Sequence, residues 1–137
     1  MPKSISLLLT GALMLWAGTA LAGTPADPDA RIATIIAGRT AGPPTDCIRQ
    51  NEISSSQIVD RTAILYRMND GTIYVNRPTS GANFLRRDQV LVTDTHSDQL
   101  CSVDIVRLLD SGTHMSSGSV GLGPFVPYPR AAHGMAR

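Results

Sequence analysis

The chain predicts an α+β fold that is mainly antiparallel β: one short N-terminal helix followed by five or six strands in a twisted sheet or a small barrel. Three observations carry this expectation. A single helical stripe of isoleucines stands near the start. After it come short apolar runs rich in Val, Ile, Leu and Tyr, separated by clusters of Gly, Pro, Asn, Asp and Ser, which is the pattern of strands and turns. Two of those runs flank Asn69-Asp70-Gly71, a hairpin signal.

The first segment is read as an export signal rather than as structure. Lys3 heads the apolar stretch from Ile5 to Trp16, and Ala20-Leu21-Ala22 places small residues where a signal peptidase reads. The stretch is short for a membrane span, which needs about 20 apolar residues. The expectation is a signal peptide over residues 1–22, cleaved after Ala22, with no membrane span in what remains. An N-terminal helix and linker then occupy 23–46, a disulfide-stapled β domain 47–128 and a disordered tail 129–137.

The helix is expected at 28–37. Ile32, Ile35 and Ile36 share one face at the i, i+3, i+4 spacing. Asp27 suits the N-cap, Pro28 the first helical position and Asp29 the first turn. Gly38 suits the left-handed residue beyond the end. Gly42-Pro43-Pro44 then stops the helix. Ser54 to Asp60 enters a strand or turn, and Thr62–Met68 and Thr72–Asn76 form the hairpin. With Asp70-Gly71 as a two-residue turn, Met68 faces Ile73 and Tyr66 faces Val75. Ile64, Tyr66, Met68, Ile73 and Val75 then share one side, and a one-residue slip would mix the faces.

Arg77 to Asp88 reads as a long surface loop anchored by Phe84-Leu85. Val90-Leu91-Val92 reads as a short buried strand and Ile105–Leu109 as another. Gly112 to Gly118 reads as a flexible connection. Val120–Val126 reads as a last strand, whose glycines allow close backbone approach or a bulge. Pro127 and Pro129 stop it.

Composition excludes some functions. The 137 residues hold 12 basic and 11 acidic side chains, and Lys3 is the only lysine. Once the signal is removed, the formal charge is zero and every cation is an arginine. Nucleic acid is a poor partner for such a chain, because that affinity rests on clustered positive charge. Cys47 and Cys101 are the only cysteines. An even count in an exported chain reads as a disulfide, and closing a loop of about 55 residues stabilises a fold by about 4 kcal/mol on the chain-entropy model. The competing reading, a reactive thiol, has no C-x-x-C to support it.

Candidate chemistry is sparse. Asp94-x-His96-x-Asp98 has the alternate spacing of a calcium loop but lacks its glycine and terminal glutamate, and it has too few His or Cys for zinc. His96, His114 and His133 fall in three loops. There is no G-x-S-x-G elbow, and Ser116-Ser117-Gly118-Ser119 reads as a linker rather than a nucleophile seat. Gly121-Leu122-Gly123-Pro124-Phe125 lacks the lysine and following helix of a phosphate loop. Asp60 with Arg61, and Asp104 with Arg107, read as ion pairs near strand ends, and Asp104 also suits the backbone donors of its own turn. No catalytic, cofactor-binding or metal-binding residue is assigned. Cys47 and Cys101 are the one assigned pair, and no cofactor is expected.

Asp46-Cys47-Ile48, Ile64-x-Tyr66-Arg67, Leu100-Cys101-x-x-Asp104-Ile105-Val106 and Leu122-Gly123-x-Phe125-Val126-Pro127 occur in that order. Over Asp46 to Tyr128 the chain resembles a group of small exported proteins of Gram-negative bacteria for which no activity is established. Many members of that group carry two further cysteines, where this chain has Ser80-Gly81-Ala82-Asn83 and Ser117-Gly118-Ser119-Val120. If those two pair with each other, the resemblance implies that Cys47 and Cys101 are partners. It implies no activity.

The function expected is that of a non-enzymatic periplasmic envelope protein, a small binding or interaction module whose partner is another envelope protein. Its contact surface would be a sheet edge or the loop around Arg86-Arg87. The alternative is a periplasmic hydrolase or metal-dependent enzyme that uses His96 or His114 with nearby acids.

Overall fold

The computed structural model describes residue 18 and residues 26–132. Apart from residue 18, the expected signal peptide lies outside the described residues, as do its cleavage site, most of the expected tail and His133.

In chain order the elements are α1 (Pro28–Ile35), β1 (Cys47–Arg49), β2 (Ile53–Val59), β3 (Ala63–Met68), β4 (Ile73–Asn76), β5 (Gln89–Thr93), β6 (Gln99–Cys101), β7 (Ile105–Asp110), β8 (Ser116–Gly121) and β9 (Phe125–Tyr128). Helix α1 starts as its sequence dictates. The Asp27 carboxylate accepts a hydrogen bond from the Asp29 N–H at 3.0 Å, and Pro28 opens the first turn. It ends two residues earlier than expected, because the last turn tightens: the Ala37 N–H donates to Thr34, three residues back. Gly38, at φ +76°, turns the chain away.

The strands are all antiparallel, as expected, but they do not form one sheet of five or six. Among the described residues they form a four-stranded sheet in the order β2-β3-β4-β9, a three-stranded sheet β5-β7-β8 and a two-stranded ribbon β1-β6. The physical reason is that the loops change sheet. Residues 77–88 carry the chain out of the first sheet after β4 and into the second at β5, and they drive Leu85 into the core on the way. The expected last strand is broken at Leu122–Pro124. There the chain leaves β8 and returns to pair β9 with β4, Val75 lying opposite Val126. Pro127 lies inside β9 rather than stopping it, and a border strand tolerates a missing N–H. Residues 39–45, expected as a linker, run along that border. The Arg39 guanidinium donates to the carbonyls of Gly71 and Tyr128, the Gly42 N–H donates to Pro127, and Thr45 and Phe125 exchange backbone bonds.

Packing the sheets together buries two apolar stripes at once. Ile64, Tyr66 and Met68 meet Val106, Leu108 and Val120 of the second sheet, with Ile48, Leu100 and Phe125 closing the interior. On the opposite face Leu65, Ile73 and Val75 receive Ile32 of α1, with Ile35 and Ile36 half-buried beside it. The four-stranded sheet is therefore covered on both faces.

That double cover explains a corrected register. The hairpin exists, but Tyr66 lies opposite Tyr74 and Leu65 opposite Val75, one residue away from the expected pairing. Its loop has three residues, Asn69-Asp70-Gly71. The Met68 N–H donates to Thr72 O at 2.8 Å, and Gly71 sits at φ +89°. This is the three-residue hairpin with a left-handed glycine. A slip of one residue normally sends apolar side chains to solvent. Here both faces are apolar, so alternation could not choose between the two registers.

Cys47 and Cys101 are bonded to each other and lie directly opposite one another in the β1-β6 ladder. The bridge ties the beginning of the β domain to its second half, as expected. Asp104 accepts a hydrogen bond from the Cys101 N–H at 2.7 Å and so shapes the turn behind the bridge. Two other expectations change. Ser116-Ser117-Gly118-Ser119 belongs to β8 rather than to a flexible connection, because it completes the three-stranded sheet against β7. Strand β5 is half-exposed rather than buried, with Val90 44% exposed, because it lies at the border of that sheet.

Candidate functional site: a cleft between two strand borders

The two main sheets have four borders, and two are capped by the chain itself. Residues 42–45 cover β9. Thr79 and Ser80 cover the end of β8 through backbone bonds with Gly121. Borders β2 and β5 pair with no further strand among the described residues.

The direction of their free groups follows from the ladders. The Met68 N–H points to β4, so alternation along an antiparallel strand turns Met68, Tyr66 and Ile64 toward β4. Arg67, Leu65 and Ala63 then point to β2, where they meet Ser55, Gln57 and Val59. The backbone groups of Ser56 and Ile58 are left facing away from the sheet. Across from them runs β5. A hollow of about 550 Å³ separates the two borders, walled by Ile53 and Ser56 on one side and by Leu91 and Thr93 on the other. Tyr66 and Leu100 form its floor.

Tyr66 is the most informative group in the cleft. Its ring is buried and stacks obliquely on Phe125 at 5.9 Å. Burial pushes its phenol above the ordinary value of 10.0, so the hydroxyl stays protonated and able to donate. Tyr66 lines the hollow and its hydroxyl makes no hydrogen bond to a described residue; among the described residues no fully enclosed side-chain oxygen is without a partner, so the phenolic oxygen reaches the cleft surface.

The cleft closes at one end. The carboxylate of Asp60, just beyond β2, accepts from the Arg87 N–H at 2.6 Å and from its guanidinium at 3.2 Å. The expected pairing of Asp60 with Arg61 is therefore replaced by Asp60 with Arg87, because the Arg61 backbone takes the left-handed conformation, φ +56°, and its N–H goes to Leu85 O. Asp104 and Arg107 form no ion pair either, since the Asp104 carboxylate is occupied by its own turn. A second ion pair among the described residues joins Asp29 of α1 to Arg77 at 2.8 Å. It lies at the rim of an apolar seam of about 450 Å³ between α1 and the β4-β9 pair, the seat into which Ile32 docks.

Asp94, His96 and Asp98 lie on an exposed loop at the open end of the cleft. That loop is held by Gln50, whose N–H donates to Asp98 O and whose side chain accepts from Thr95. Among the described residues no three His, Cys, Asp or Glu side chains come together to hold a metal. The Asp110 carboxylate accepts from the N–H and hydroxyl of Thr113 and from the Gly112 N–H, and these bonds hold it below the usual carboxylate range. It is committed to the turn that carries His114. His96 and His114 follow opposite ends of the β5-β7 ladder, and a five-residue strand spans roughly 13 Å. The fold does not bring them together.

Gly121 and Gly123 serve close backbone approach, as expected: a side chain on Gly123 would strike the Arg77 carbonyl. The segments 80–83 and 117–120 adjoin: Ser80 bridges to Gly121, and a side chain on Gly81 would strike the Ser119 carbonyl. Sequence reasoning missed the cleft itself. Its one local signal was the polar run Ser54-Ser55-Ser56-Gln57 beside an apolar strand, the composition of a border. No protein family, curated protein or solved structure matches the chain. Among the described residues no helix is long and apolar enough to cross a membrane.

Proposed function

We propose that this is an exported periplasmic binding module, without enzymatic activity, that takes an extended segment of another envelope protein as an added strand in the β2-β5 cleft. The observation that carries the reading is the outward backbone edge at Ser56, facing a second border strand over a floor whose Tyr66 hydroxyl is unspent. An extended segment would satisfy the edge through main-chain bonds and place alternate side chains on Leu91 and Leu100. The disulfide supports an oxidising compartment, and the secretory pattern of residues 1–22 supports export. The alternative, a hydrolase or metal-dependent enzyme built on His96 or His114, draws no support from their separation.

Ser56→Pro tests the reading. Proline deletes an N–H that points away from β3 at the open border and leaves the β2-β3 ladder its own donors. A photo-reactive residue at Thr93 should cross-link a discrete envelope protein in the host, and Ser56→Pro should abolish that product with the melting temperature kept within a few degrees. An undiminished product would sink strand addition. Recovery of the protein in the cytoplasm with residues 1–22 attached would sink the export reading.

A further inference from the structure

The closed end of the cleft carries a charge pattern that the fold does not need. Arg61, Arg86, Arg87, Asp60 and Asp88 surround a hollow of about 530 Å³, and Arg31 of α1 shares an adjoining one of about 370 Å³ with Arg61 and Arg87. Four arginines thus meet two carboxylates in a chain that is neutral once its signal is removed. Only Arg87 is in an ion pair there. Arg31, Arg61 and Arg86 are in none with a described residue.

Arg61 is the telling member. Its φ of +56° is a conformation that glycine adopts freely and that costs other residues of order 1 kcal/mol. The backbone there does a structural task, donating to Leu85 O, and glycine would perform that task without strain. The side chain itself is exposed and makes no ion pair. A strained residue whose side chain the fold does not use points to use elsewhere.

We infer that this basic end receives the carboxylates of an acidic segment in the partner protein, adjacent to the part that adds to β2. This deepens the strand-addition reading and rests on it. Arginine forks match carboxylates with paired hydrogen bonds, and several exposed guanidiniums around one hollow achieve what a single exposed pair does not. The segment lies where β2 ends and β5 begins, so acidic residues at one end of the incoming strand would also set its direction in the cleft.

The test is a titration of the processed, oxidised protein with hexaglutamate, followed by NMR of the arginine side chains. Hexaglutamine and phosphatidylglycerol vesicles serve as controls. The expected result is saturable shifts at Arg31, Arg61 and Arg86, little change at Arg49, none with hexaglutamine, and affinity several-fold weaker when salt rises from about 20 to about 300 mM. Arg61→Gly should keep or raise the melting temperature while weakening hexaglutamate several-fold, and Arg86→Gln should weaken it without changing stability. Equal shifts at Arg49, no saturable shift, or preference for the vesicles would overturn the inference. Ser56→Pro should leave hexaglutamate binding intact. A cross-link lost on Ser56→Pro with no response to hexaglutamate would therefore keep strand addition and discard the acidic partner.

Discussion

Among the described residues Asn76 is the buried polar residue of the core, with no exposed surface at the end of β4. Its amide donates to Gly123 O at 2.6 Å and its carbonyl oxygen accepts from the Gly123 N–H at 3.0 Å. The side chain thus behaves as one more rung of a ladder, pinning the crossover from β8 to β9. Asn76→Ala would leave both Gly123 groups buried without partners, and should destabilise the protein by about 3 kcal/mol, read as a lowered denaturant midpoint. Tyr66 makes a pH-dependent contribution. Burial raises its folded pKa above the unfolded 10.0, so the unfolded chain gives up its proton first. Stability is full below pH 10.0 and falls as pH rises through that value toward the folded one. Tyr66→Phe should flatten the alkaline limb of a stability–pH curve. An unchanged limb would place the alkaline loss elsewhere. Neither residue's role could be read locally, because both depend on partners about 50 or more positions away.

At the scale of elements, the hairpin loop separates the two registers. A two-residue loop of the I′ type would hold both Asp70 and Gly71 at positive φ, whereas here only Gly71 is left-handed. Gly71→Ala should therefore cost about 1–2 kcal/mol, while Asp70→Ala, which loses one exposed bond to the Thr72 N–H, should cost less than about 1 kcal/mol. Equal large losses at both positions would favour the two-residue turn. Helix α1 was legible nearly to the residue, since its cap, its proline and its glycine all act within one turn of their own positions. Strand β8 was not. Ser116 to Ser119 has weak β propensity, and it is a strand because β7 offers it a ladder. The cleft, likewise, is made by two borders, Ile53–Val59 and Gln89–Thr93, far apart in the chain, and has no local signature beyond a polar run.

The whole molecule depends on one covalent tie. The disulfide spans a sequence separation of 54 and joins the ribbon that closes one side of the core. Reduction should lower stability by about 4 kcal/mol and the melting temperature by roughly 15 °C or more. A protein that melts at the same temperature after verified reduction would show that the ribbon holds without its bridge. By itself the sequence determined what short-range chemistry can determine: the helix and its caps, the antiparallel character of the strands, the position of the β3-β4 hairpin and, through two cysteines, the pairing across the domain. Only the tertiary structure decided how many sheets form, which register the hairpin takes and which borders stay open. Those outcomes depend on which faces are covered, and the covering elements come from distant parts of the chain.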